Sequence, residues 1–246
     1  ANNREIDSLA GLPTRELECV NVSDCNLEGD LSPLDSAYQL RSLSVGGDGN
    51  ITSLGNVPLG RLETLVAQGC GFNGNLSFLA AAKNLRTLDV QGNTSLFSLA
   101  GIPTQELEIL DASDCGLSGN LATLAQAKQL RVVDVSYNNN LVSLAGLPVA
   151  ELEELSASVC GLKGNLSALA DATKLQQLFI AKNPNLTSLD GLALQRIERI
   201  MAWNCGLSGD LTFLSQVPHL RGLNVEKNPR ATLDPAQFRP EVDIQI

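Results

Sequence analysis

The chain has 246 residues, with 17 Lys and Arg against 27 Asp and Glu, a net charge of −10 and a single histidine. That balance argues against nucleic acid as a partner, since phosphate binding draws its affinity from clustered Lys and Arg. No apolar run approaches the roughly 18 residues needed to cross a bilayer, so no membrane span is expected.

The opening ANNREID has none of the features of a signal peptide. Residues 1–16 precede the first regular pattern and are expected to cap the core around Ile6 and Leu9. From there to residue 231 a pattern L-x-x-L-x-L-x-x-(N/C) begins ten times, at Leu17, Leu40, Leu62, Leu85, Leu107, Leu130, Leu152, Leu175, Ile197 and Leu220. The starts alternate 23 and 22 residues apart, so five 45-residue units align on Ser8, Ser53, Ser98, Ser143 and Ser188. The odd half of a unit reads LEILDASDCGLSGNLATLAQAKQ from Leu107, and the even half LRVVDVSYNNNLVSLAGLPVAE from Leu130.

Such a period has a direct physical reading. In an L-x-L stretch alternate side chains face opposite ways, so leucines point inward and x residues outward. One coil cannot bury its leucines alone, whereas coils stacked about 4.8 Å apart build a parallel sheet over a continuous core. The return path is too short for a long helix, and Gly119, Pro148 and their equivalents favour turns or 3₁₀ segments. Residues 232–246 are expected to form a partial repeat. Val242, Ile244 and Ile246 alternate there as in an eleventh strand, and its open edge offers self-association through the ends.

This pattern resembles the leucine-rich-repeat family over nearly the whole chain. The odd coils are similar to plant receptor and protozoan surface-antigen repeats, and the even coils to internalin-type repeats. The resemblance implies an α/β architecture: a right-handed, curved solenoid with a ten-strand parallel sheet on its concave face and turns or 3₁₀ segments on its convex face. It also implies a non-catalytic module that binds a protein or peptide on the concave face, with no cofactor. A self-associating surface or matrix protein and carbohydrate binding are the alternative functions.

Cys25, Cys70, Cys115, Cys160 and Cys205 follow the odd strands, where the even coils carry Asp48, Asn93, Asn138, Asn183 and Asn228. Successive cysteines would stand two coils apart, roughly 9 to 10 Å. That is beyond the about 7 Å between Cα atoms that a disulfide tolerates, and too far for a shared zinc. They read as an inward ladder; in the resembled family an Asn at this position bonds the backbone of the neighbouring coil. Cys19 occupies an outward position and is expected to be a thiol covered by the N-terminal segment, with an exposed reactive thiol as the alternative.

Catalysis finds little to work with. His219 should lie off the sheet, so neither Ser-His-Asp nor Cys-His sets assemble on the strands. Two features of the outward columns remain. Asp89, Asp111 and Asp134 follow one another down the middle column, as a hydrated stripe, a docking site for basic groups or, more specifically, a Ca²⁺ site. Tyr137, Phe179, Met201 and the sole tryptophan, Trp203, edged by Lys182, Arg199, Glu226 and Lys227, form the candidate ligand-binding patch. Six N-x-S/T sequons at Asn21, Asn50, Asn75, Asn93, Asn165 and Asn185, together with the resemblance, favour a surface or secreted glycoprotein over a cytoplasmic adaptor.

Overall fold

A computed structural model describes residues 5–25, 27, 29 and 31–246. In it each of the ten repeats forms a three-residue strand centred on the first apolar residue of its L-x-L, and that central residue is buried. The chain divides into two units, residues 1–117 and 118–246.

The first unit holds β1 (Cys19–Asn21), β2 (Ser42–Ser44), β3 (Thr64–Val66), β4 (Asn73–Gly74), β5 (Thr87–Asp89), β6 (Ser95–Leu96) and β7 (Ile109–Asp111). Strands β1, β2, β3, β5 and β7 pair in that order, all parallel. Equivalent triplets meet without offset, so Val20, Leu43, Leu65, Leu88 and Leu110 form one inward row. The register is firm because a slip of one residue would turn that whole row to solvent. The short strands β4 and β6 pair separately on the return path.

The second unit repeats the plan. It contains β8 (Ser118–Gly119), β9 (Val132–Asp134), β10 (Asn140–Leu141), β11 (Glu154–Ser156), β12 (Lys163–Gly164) and β13 (Gln177–Phe179). There follow β14 (Asn185–Leu186), β15 (Arg199–Met201), β16 (Ser208–Asp210), β17 (Gly222–Asn224), β18 (Arg230–Thr232) and β19 (Asp243–Gln245). The parallel order is β9, β11, β13, β15, β17, β19, with Val133, Leu155, Leu178, Ile200, Leu223 and Ile244 in one row. Helical turns in both units are 3₁₀ segments such as Ser77–Leu79, Ala122–Leu124 and Ser167–Leu169. Among the described residues no helix is long and apolar enough to cross a membrane.

The recurring C-G-L-x-G-N-L of the odd coils is now legible residue by residue. Cys70, Cys115, Cys160 and Cys205 donate their thiols to the carbonyls of Val45, Val90, Val135 and Ile180 on the neighbouring coil, at 3.4, 3.4, 3.3 and 3.2 Å. The following glycine lets the backbones approach: a Cβ on Gly161 would stand 2.6 Å from the Asn139 carbonyl oxygen. The leucine fills the core. The asparagine opens the 3₁₀ turn, because Asn75, Asn120 and Asn165 accept the N–H two residues on through Oδ1 at 3.0, 3.0 and 3.1 Å.

The even coils use amides for the same purpose. Asn183 donates through Nδ2 to the carbonyls of Ala157 and Ile180 at 2.9 and 2.8 Å and accepts the Leu162 N–H at 3.1 Å. Asn93 and Asn228 repeat this set with Ala67, Val90 and Phe72, and with Ala202, Val225 and Leu207. Asp48 stands in the same column but has no amide to donate. Its Oδ1 accepts the Asn50 N–H at 3.2 Å, and its Oδ2 is buried with no partner.

All six cysteines are free, and the five of the ladder are buried. Burial pushes the thiols of Cys70 and Cys115 up to about 12 and that of Cys160 up to about 11, and it raises Cys205 as well. Cys19 departs from expectation. Leu9 is buried, but Ile6 is only partly so, and the N-terminal segment leaves Cys19 exposed instead of covering it. Since the thiolate is the nucleophile, burial silences the ladder, and the raised pKa adds to this at Cys70, Cys115, Cys160 and Cys205. A thiol reagent at neutral pH is therefore expected to modify Cys19 alone in the native protein and all six cysteines after denaturation. Peptide mapping of the modified residues checks this, and rapid native labelling of Cys115 or Cys160 contradicts it.

Candidate protein-interaction surface

Zero-offset pairing puts the outward residues of the second unit in straight columns. Along the middle column Ser156, Phe179, Met201, Asn224 and Gln245 are successive partners on β11, β13, β15, β17 and β19. Alongside it run Glu154, Gln177, Arg199, Gly222 and Asp243. Phe179 and Met201 are half-buried and lie directly opposite each other, so two bulky apolar side chains share adjacent strands on the outward face. Gly222 takes a place that its neighbours fill with longer side chains. A Cβ there would lie 3.4 Å from Arg199 Nε and 3.7 Å from Met201 Cε, so Arg199 lies across the gap.

Trp203 follows β15 by two residues and is half-buried. The Lys182 ammonium lies 4.8 Å from its ring centre and the Lys227 ammonium 5.7 Å. Both lysines have left-handed backbones, with φ of 58° and 56°. This is the ledge position where the first unit places Gly47, Gly69 and Gly92 at φ of 81°, 56° and 74°. Main-chain bonds fix the ledge: Lys182 N–H donates to Trp203 O at 2.9 Å, and Asn204 N–H to Glu226 O at 2.8 Å. Glu226 is half-buried, and its N–H donates to Asn224 Oδ1 at 3.1 Å. Beside Arg199, the side chains of Gln177, Glu198 and Arg221 line a shallow depression of about 190 Å³.

The structure thus brings Phe179, Lys182, Arg199, Met201, Trp203 and Glu226 onto three adjacent coils. Tyr137 does not join them. It follows β9 and is exposed, but β11 lies between that strand and β13. Lys227, first read as an edge residue, proves to be half of the pair that clasps Trp203. Exposed Tyr38 and Phe97 in the first unit and Phe213 in the second lie in return segments, outside the strands.

The aspartates accept hydrogen bonds from nearby neutral donors. Asp89 and Asp111 are paired across β5 and β7. Burial holds the Asp89 carboxyl above its ordinary range; hydrogen bonds from the Gln91 N–H and the Gln68 amide act against this, and Asp111 adds a smaller repulsion. Asp111 Oδ1 accepts both the N–H and the hydroxyl of Ser113, at 2.9 and 2.7 Å. In the second unit Asp134 Oδ1 accepts the Ser136 N–H at 2.8 Å. Among the described residues no group of three or more His, Cys, Asp or Glu is arranged to hold a metal ion.

One surface feature escaped the sequence reading. The residue before each repeat strand alternates in charge, except for neutral Gln176 before β13, giving Arg41–Glu63 and Arg86–Glu108 pairs in the first unit. In the second unit Arg131–Glu153 pairs at 2.9 Å and Arg221–Glu198 at 3.9 Å. The signal was present at the repeat spacing, in Glu18, Arg41, Glu63, Arg86 and Glu108. Each exposed pair contributes roughly 0 to 1 kcal/mol.

No family model matches the sequence, and no curated protein does either. Solved structures do. An internalin from Listeria monocytogenes superposes with a TM-score of 0.66 at 18% identity, over 90% of this chain and 69% of that one. The functional domain of InlJ from the same organism, described as including a cysteine ladder, gives 0.65 at 17% identity, over 89% of this chain and 55% of that one. A plant peptide hormone receptor in complex with RGF2 gives 0.57 at 16% identity, over 94% of this chain and 36% of that one. With the leucine pattern repeated coil by coil and each unit built as a stack of parallel strands, the chain is by fold a leucine-rich-repeat solenoid.

Proposed function

We propose that the chain is a non-catalytic recognition module that binds a protein or peptide on the outward face of β13, β15 and β17. The observation that carries this reading is the placement of Phe179 directly opposite Met201, with Trp203 two residues beyond Met201 on the same coil. These are bulky apolar side chains on neighbouring coils that the core does not need, since Leu178 and Ile200 already fill the inward row at 0% exposure. Interface hot spots have this composition: aromatic anchors beside arginine, set on a rigid backbone. The receptor solved with RGF2 supports the use of this fold for recognition.

Peptides selected for binding from a displayed random library supply the ligand for the test. Trp203→Ala is expected to weaken those binders by at least about 2 kcal/mol, roughly thirtyfold. The unfolding midpoint should stay within experimental error, because the indole is not part of the core. Retained affinity in both Trp203→Ala and Phe179→Ala would place recognition elsewhere.

A surface or secreted location also belongs to this proposal. The asparagines of five sequons, Asn21, Asn50, Asn75, Asn165 and Asn185, are exposed, whereas Asn93 is 1% exposed with its amide held in the ladder. Expression through a glycosylating secretory pathway, followed by glycopeptide mass spectrometry, should find glycan on exposed sites and none on Asn93. Complete absence of glycan from all five exposed sites would count against that location.

A further inference from the structure

We propose that the surface around Trp203 selects an anionic partner, a peptide segment rich in carboxylates beside an apolar residue; this rests on the recognition function proposed above. The aromatic ring is already occupied on the chain's own terms. Lys182 and Lys227 hold their ammoniums 4.8 and 5.7 Å from the indole centre, the geometry of a cation–π contact. A cationic group from a partner, otherwise a natural ligand for exposed tryptophan, meets two like charges there.

The two ammoniums on the indole are not held in ion pairs. Ion pairs among the described residues engage Arg221 with Glu198 and Lys174 with Glu151, and none of them includes Lys182, Arg199 or Lys227. Acids stand on the same coils, with Glu226 before Lys227, Glu198 beside Arg199 in the depression, and Glu154 and Asp243 in the Arg199 column, but the groups held over the indole itself are the two ammoniums. The contrast with the rest of the chain is marked. Residues 1–117 hold six Lys and Arg against fifteen Asp and Glu, whereas residues 118–246 hold eleven against twelve. With a screening length of about 8 Å at physiological salt, the two ammoniums at the indole weigh more on what docks against Trp203 than the net charge of the whole molecule does.

The arrangement has a definite chemistry. A partner carboxylate pairs with an ammonium that remains seated on the indole, so binding does not cost the cation–π contact. Phe179 and Met201, directly opposite each other on β13 and β15, receive the adjoining apolar side chain. Arg199, laid across Gly222, offers a guanidinium to a second carboxylate in a two-pronged contact. Asp89 and Asp111 of the first unit, by contrast, accept only from neutral donors and lie on other coils than Trp203, so attraction of a basic peptide to them is not read by the indole.

Because Trp203 is the sole tryptophan, its emission reports this site alone. The probes are three synthetic peptides of equal length, each with one phenylalanine flanked by glutamate, glutamine or lysine. The glutamate peptide is expected to change Trp203 emission with an affinity at least about tenfold above the glutamine peptide, and to weaken as salt is raised. The lysine peptide should leave the emission unchanged.

The control variant is the double substitution Lys182→Asn, Lys227→Asn. Asparagine suits these left-handed positions, as Asn204 shows at φ 54° on the same ledge, so charge is removed without strain. It should reduce the preference for glutamate to less than about threefold. If the glutamine or lysine peptide binds as tightly as the glutamate peptide, the charge preference is wrong while recognition at this face stands. An unresponsive Trp203 with every peptide, in a protein whose library-selected binders survive Trp203→Ala, overturns both. An unresponsive Trp203 with binders that do need Trp203 overturns the anionic preference alone.

Discussion

The structure depends on what happens just after each strand, where the chain bends away and leaves carbonyls that the sheet no longer satisfies. A buried carbonyl without a donor costs on the order of 1 to 3 kcal/mol. Here the donor is a side chain: in the even coils an amide that reaches carbonyls of its own coil and of the one before, in the odd coils a thiol that reaches the one before. Val90 O shows the two converging, since it accepts from Asn93 at 2.7 Å and from Cys115 at 3.4 Å. Leucine burial provides the bulk of the driving force, about 1.5 to 3 kcal/mol per side chain. The inward donors determine where each coil turns, and therefore the register of the columns.

That register has a functional consequence. When equivalent triplets meet without offset, any outward side chain finds its neighbour at a fixed separation on the next coil. Phe179 then meets Met201, and the ledge carrying Lys182 and Lys227 brackets the coil of Trp203. The recognition surface is preorganised by main-chain bonds such as Lys182 N–H to Trp203 O, so a partner need not order it. The buried thiols form a scaffold and take no part in chemistry. Exposed Cys19 is set apart from them by its place on the outward face of the first strand.

Much of this was legible in the sequence because the repeat spacing is rigid. The strands, the inward row and the cysteine ladder followed from leucine positions and from the separation of successive coils. What remained hidden depends on side-chain reach and on local backbone conformation. The fate of Cys19 required knowing where the first residues run, which no periodicity encodes. The clasp on Trp203 depends on left-handed backbones at Lys182 and Lys227, and lysine does not advertise a positive φ. Glycines 47, 69 and 92 in the same column carried that signal. The aspartate stripe looked like unrelieved repulsion because the reach of Gln68 and the turn geometry of Ser113 are not written in spacing.

Asp48 offers the most direct test of the donor ladder, because it is the natural exception: a carboxylate in an asparagine column, with Oδ2 buried and unpartnered. Replacing it with asparagine supplies the missing N–H donor at nearly constant shape. Equilibrium urea unfolding of Asp48→Asn is predicted to show a gain in stability on the order of 1 to 3 kcal/mol. An unchanged or lowered stability would contradict the claim that inward side-chain donors hold the coils in register.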